Sequence, residues 1–184
     1  MDERQLITRI LKGDARAERL LYDAHVDRVY RLAYRMTGDE TMAEDLTQET
    51  FLRTFTKLSN FEGRSSLGTW IHSITVSVVL SALRKVKRLR RCEAELDDSV
   101  LNTTIGRSPD PALKISLHRA IDALSDDLRL VVVMHDLEGY RYEEMAEMIG
   151  IPAGTVKSRL FRAREALRES LADRNRFPSE EDGS

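Results

Sequence analysis

Apolar residues recur three and four positions apart through almost the whole chain, and the residues that stop helices gather in a few places. Only nine of the 184 residues are Gly and four are Pro. The pattern therefore predicts an all-α fold. Helices are expected near residues 3–12, 15–37, 41–58 and 66–90, and again near 112–124, 126–137, 142–149 and 153–171. Gly38 is placed to end the second helix in a left-handed cap, Thr41-Met-Ala-Glu44 has the form of a capping box opening the third, and Gly139 breaks the sixth from the seventh. The stretch 92–111 is different. It is acidic, contains Asn102-Thr-Thr-Ile-Gly106 and Ser108-Pro-Asp-Pro111, and shows no helical period, which is the composition of a flexible linker. The chain is thus expected to form two small helical domains, 1–91 and 112–173, joined by that linker and followed by a disordered tail over 174–184.

Charge and composition narrow the chemistry. The 29 basic and 31 acidic residues leave a net charge of −2, but residues 1–91 carry 17 basic and 12 acidic groups whereas 92–111 carry 1 and 5. Two basic clusters stand out: Arg84-Lys-Val-Lys-Arg-Leu-Arg-Arg91, and the group Lys157, Arg159, Arg162, Arg164 and Arg168. A polyanion responds to such local fields and not to the total. The lone Cys92 cannot form an internal disulfide and supplies one zinc ligand where several are needed, so no metal or cofactor is expected. The longest apolar stretches, 74–80 and 130–134, fall short of a bilayer span, and Met1-Asp-Glu-Arg4 lacks the profile of a secretory signal. A cytoplasmic protein without membrane insertion is expected.

In the second domain, two helices joined by Gly150-Ile-Pro152 have the layout of a helix-turn-helix, whose second helix enters the major groove of DNA. Val156, Leu160, Ala163 and Leu167 form a stripe that must face the core. Ser158, Phe161, Arg162 and Glu165 project on the other side, where Arg162 can pair with a guanine edge, Ser158 can hydrogen-bond to a base and Phe161 can press on a thymine methyl. Thr155, Lys157, Arg159, Arg164 and Arg168 flank that face and suit phosphates. In the first domain, Asp45, Gln48, Glu49 and Leu52 share one arc of a helix, beside Phe51, Phe55 and Leu58, which can be buried. Trp70, Ile74, Ser77, Ser81, Arg84 and Arg88 fall on one strip of the next helix. That strip joins an aromatic to cations, a surface suited to unpaired bases and their backbone, although Trp70 read alone fits a core position equally well.

Together these residues resemble the extracytoplasmic-function sigma factors, small bacterial transcription initiation factors of the sigma-70 family. Ala43-Glu-Asp-Leu-Thr-Gln-Glu-Thr-Phe51 is similar to the core-polymerase-binding helix of region 2, and Gly63-Arg-Ser-Ser-Leu-Gly-Thr-Trp-Ile71 to the start of the promoter-melting segment. Asp136-Leu-Glu-Gly139, Tyr142-Glu-Glu-Met-Ala146 and Gly150-Ile-Pro-Ala-Gly-Thr-Val-Lys-Ser-Arg159 resemble region 4. The resemblance implies that Asp45, Gln48, Glu49 and Leu52 bind core RNA polymerase. It implies that Asn60, Phe61, Gly63, Arg64, Trp70, Ser77, Arg84, Lys85, Lys87 and Arg88 capture the minus 10 element of promoter DNA, with an extruded base against the loop. It further implies that Arg141, Thr155, Lys157, Ser158, Arg159, Phe161, Arg162 and Arg164 read the minus 35 duplex, and that an anti-sigma factor regulates the protein. The chain departs from the family pattern at Val76-Ser77, at Ser81, at Gly68 and at Arg141, which stands where a Ser usually caps the helix; a phosphate contact is expected to compensate at Arg141. Two other readings compete. One is a stand-alone helix-turn-helix regulator that binds duplex DNA without polymerase. The other is a metal-dependent phosphohydrolase built on His135-Asp136, which needs His25, His72 and His118 to converge on that pair.

Overall fold

The computed structural model describes residues 2–94 and 112–176, and the chain divides into two compact units, Met1–Gly106 and Arg107–Ser184. Among the described residues all regular structure is helical, in eight α-helices.

The first unit contains α1 (Glu3–Leu11), α2 (Ala15–Thr37), α3 (Glu40–Lys57), a 3-10 turn (Leu58–Asn60) and α4 (Leu67–Ala94). The Asp14 carboxylate opens α2 by accepting the N–H groups of Arg16 and Ala17 at 3.0 and 3.2 Å, and Gly38 closes it with φ 69°, a conformation that a side chain would strain. The long α2 packs on both α3 and α4, which also pack on each other, while α1 lies on α2 and the 3-10 turn. The buried side of α3 includes Thr47, Thr50 and Thr54, whose hydroxyls donate to the carbonyls of Ala43, Leu46 and Thr50 at 2.7, 2.7 and 2.8 Å. Each threonine thus fills core volume without leaving a polar atom unsatisfied.

Two sequence expectations change here. Asp39, not Thr41, is the N-cap of α3: its carboxylate accepts the Met42 N–H at 2.7 Å, and Thr41 lies exposed in the first turn. The helix α4 runs to Ala94, into the stretch expected to be linker; 95–111 lie outside the described residues. Leu67–Leu89 is long and apolar enough to cross a bilayer, yet half of it is buried inside its own unit, where it packs against α2 and α3.

The second unit contains α5 (Ala112–Ala123), α6 (Asp126–Val132), α7 (Tyr142–Ile149) and α8 (Ala153–Arg176), with α5, α6 and α7 all packed on α8. The helix expected over 126–137 is regular only to Val132; Val133–Leu137 widen into a π turn, and Gly139 at φ 76° completes the break. The Arg129 guanidinium donates to the carbonyls of Ile121, Asp122 and Leu124, which caps the end of α5. Leu130, Val131, Val133, Met134, Met145, Val156, Leu160 and Ala163 form the core. The last helix extends to Arg176, past the expected end near 171 and past the expected domain boundary at 173, and 177–184 lie outside the described residues.

Candidate functional site

The first candidate face is on α3. Burial of Ala43, Leu46, Thr47, Thr50, Phe51 and Thr54 fixes which side of the helix meets the core, and Asp45, Gln48 and Leu52 are left exposed on the other. Leu52 is 64% exposed, a large apolar side chain held in water by a rigid element. Glu49 is half-buried and its carboxylate pairs with Arg53 at 2.6 Å, so Asp45 and the exposed Glu44 carry the unpaired acidity of this face.

The second face is formed by the loop between the 3-10 turn and α4, and by the outer side of α4. Asn60, Gly63 and Arg64 are exposed; Gly63 turns the loop with φ 70°, and Arg64 pairs with Glu62 at 2.6 Å. Phe61 and Trp70 tilt against each other with ring centroids 5.3 Å apart, both half-buried on the cluster that contains Ile10, Leu58, Leu67 and Ile71. The strip drawn by spacing from Trp70 to Arg88 therefore starts in the core, since Ile74 is buried as well, and reaches the surface only at Ser77. From there Ser77, Ser81, Arg84, Lys85, Lys87 and Arg88 are exposed, and Ser81, Arg84, Lys85 and Arg88 line a shallow groove.

The third face belongs to α7 and α8. Gly150 at φ 75° ends α7, and the Pro152 carbonyl accepts the N–H groups of Thr155 and Val156 at 2.8 and 3.1 Å as α8 begins. Val156, Leu160 and Ala163 are buried and Leu167 is half-buried, so Ser158, Phe161 and Arg162 project to solvent; Phe161 is 65% exposed. The Lys157 ammonium lies 5.3 Å from the centroid of the Tyr142 ring, which in turn stacks on His135 at 4.8 Å. The flanking cations are not equivalent. Arg159 pairs with Asp127 at 3.2 Å, and Arg164 makes two bonds to Asp136 at 2.5 and 3.3 Å. Partial burial pushes the Asp136 carboxyl up, but hydrogen bonds from Arg164 and His135 outweigh it and hold the group below its ordinary value. At Arg141 the backbone N–H donates to the Glu144 carboxylate at 2.8 Å, one half of a capping box, while the guanidinium cannot accept the first-turn N–H that a capping serine would take.

The His135-Asp136 pair thus has structural partners in Tyr142 and Arg164. Among the described residues no three His, Cys, Asp or Glu side chains gather where a metal ion could sit. His72 is buried between helices of the first unit, and burial, with a smaller contribution from Arg28, pushes its pKa down to about 3.

Comparison with known proteins covers both units. Sigma-70 region 2 matches residues 21–89, and Sigma-70, region 4, matches residues 114–167. The ECF RNA polymerase sigma factor SigE of Mycolicibacterium smegmatis is 41% identical over 155 residues, 80% of this chain and 59% of that protein's length. The ECF RNA polymerase sigma factor SigW of Bacillus subtilis is 32% identical over 178 residues, 91% of this chain and 95% of that one. Among solved structures, the sigma factor RpoE in complex with the anti-sigma factor NepR from Bartonella quintana superposes with a TM-score of 0.69 and 28% identity, covering 84% of this chain and 96% of that chain. A stand-alone helix-turn-helix regulator leaves the region 2 match over 21–89 without a purpose. Carrying both regions, the chain belongs to the sigma-70 family, in its extracytoplasmic-function branch of RNA polymerase sigma factors.

Proposed function

We propose that the α3 face docks on core RNA polymerase through Asp45, Gln48, Glu49 and Leu52, and that the chain then directs initiation at promoters with two separate readers. The loop residues Asn60, Phe61, Gly63 and Arg64, with Trp70, Ser77, Arg84, Lys85, Lys87 and Arg88 of α4, capture the unpaired minus 10 strand. Trp70 contributes by supporting Phe61 at the base of the loop. On α8, Ser158, Phe161 and Arg162 read base edges of the minus 35 duplex, while Arg141, Thr155 and Lys157 meet its backbone. Arg159 and Arg164 take part through their pairs with Asp127 and Asp136, which fix the helix that presents the reading face.

One observation carries this reading: Phe161 and Arg162 stand exposed on a helix whose opposite stripe is buried, an arrangement that spends a large aromatic on solvent and serves groove recognition. Bond formation is left to the polymerase, and the chain supplies no catalytic group or cofactor. The working compartment is the cytoplasm, where polymerase and promoters are. The working domains are taken as 1–91 and 112–173, each of which encloses one of the two family matches. An anti-sigma factor is the expected regulator, in keeping with the solved RpoE–NepR complex. The test is run-off transcription with purified core enzyme on a genomic library, followed by mapping of start sites. Transcripts sharing one pair of upstream elements are the expected result; failure to assemble with core, or initiation without selectivity, refutes the reading.

A further inference from the structure

The first helix lies outside the region 2 match, which begins at residue 21, yet it touches both ends of the loop that precedes α4. At the near end, α1 packs on the 3-10 turn Leu58–Asn60, and Leu6, Ile7 and Ile10 join the cluster that buries Leu58 and holds Phe61 and Trp70. At the far end, the Glu3 carboxylate accepts the backbone N–H of Leu67, the first residue of α4, through both oxygens at 3.3 and 3.4 Å. That N–H belongs to a first turn with no intrahelical acceptor to meet it. The neighbouring Ser66 hydroxyl accepts the Thr69 N–H at 3.1 Å, so carboxylate and hydroxyl together satisfy the opening of the helix. The same turn sits tightly on α2. A Cβ built on Gly68 comes within 3.1 Å of Cε1 of His25, so Gly68, where the chain departs from the family pattern, accommodates this close approach. Burial holds the His25 ring below its ordinary pKa against the pull of Glu3, which places all four residues, Glu3, His25, Leu67 and Gly68, in one neighbourhood. Between these anchors Glu62, Gly63, Arg64, Ser65 and Ser66 are exposed.

We infer that α1 is a brace for the base-capture loop and that Glu3 is its positioning residue: by pinning the start of α4 while the apolar side of α1 pins the 3-10 turn, it fixes the span across which an extruded base is held. The inference rests on the minus 10 role given to the loop above. Glu3 touches no DNA itself. Its effect is on the spacing of the loop ends, and so on which base the loop accepts, and not on polymerase docking or on the helix-turn-helix.

The experiment uses the full chain assembled with core RNA polymerase and a fork-junction DNA library whose unpaired strand is randomised, reading base enrichment at each position. The Glu3→Ala holoenzyme is expected to assemble and melt like wild type while enrichment at the captured position falls about fivefold, the size of one ordinary net hydrogen bond. Glu3→Gln, which keeps an acceptor oxygen of the same reach, is expected to restore most of it. Unchanged enrichment in Glu3→Ala overturns the brace, as does a fall that Glu3→Gln fails to rescue. If the wild-type holoenzyme enriches no base in the unpaired strand, it is the minus 10 role of the loop that fails.

Discussion

The His72 side chain is 1% exposed, and burial, then the Arg28 charge, lowers its pKa from 6.5 to about 3. The unfolded chain therefore binds a proton that the folded chain refuses between those two values. Stability is fully present above about pH 6.5 and is lost as pH falls toward 3, at up to about 1.4 kcal/mol per pH unit. Burial lowers His25 as well and adds to the loss in the same direction. Urea midpoints measured from pH 7 to 4 should fall, and His72→Leu should flatten the profile; identical slopes in both proteins assign the effect elsewhere. Among the cations of α8 the structure separates residues that the sequence treats alike. Arg162→Ala is expected to cost about 1 to 3 kcal/mol at its contacted base and to relax preference there in a promoter-library selection, with the melting temperature unchanged. The exposure of Arg162 follows from its angle to the Val156–Ala163 stripe, which the sequence displays. The pairing of Arg159 and Arg164 does not, because Asp127 and Asp136 are distant in the chain and sit on an element whose π turn no residue pattern announces.

Two helix ends fall where the sequence puts them because a glycine stops the helix there. α2 ends at Gly38 and α7 at Gly150, both left-handed, and both helices occupy the expected spans. At α4 and α8, which have no such residue, the boundary lies further out, because Arg, Glu and Ala continue a helix as readily as they leave one. The start of α3 shows a finer ambiguity. Asp39 and Thr41 both have the chemistry of a cap, and the selection of Asp39 follows from Gly38, which turns the chain so that the next residue faces the free N–H groups. Asp39→Ala is expected to lower stability by about 1 kcal/mol, whereas Thr41→Ala should leave it within a few tenths, as thermal melts of the two variants can show. The threonine face of α3 is not legible either. Thr47, Thr50 and Thr54 look polar in sequence, but each hydroxyl is satisfied by the preceding turn and its methyl enters the core.

At the scale of the whole chain, the two units have separate cores, and each carries its own cationic helix in spite of the net charge of −2. This division, the helical class and the exposed face of α8 opposite its buried stripe are readable from periodicity and charge, whereas the Glu3–Leu67 contact between α1 and α4 is not, since it joins residues 64 positions apart. Lys85, Lys87 and Arg88 are all exposed near the end of α4. Their replacement by Ala should flatten the salt dependence of open-complex formation by about one unit of slope for each phosphate that is no longer neutralised, and an unaltered slope speaks against phosphate binding by this cluster. The apolar span Leu67–Leu89 has a consequence for biosynthesis. While it emerges from the ribosome, this segment holds apolar side chains that are open to misdirected contacts until its own unit covers them. The order of the helices works against such contacts: α1, α2 and α3 are translated first, so the surfaces that cover α4 are already outside the exit tunnel when it arrives.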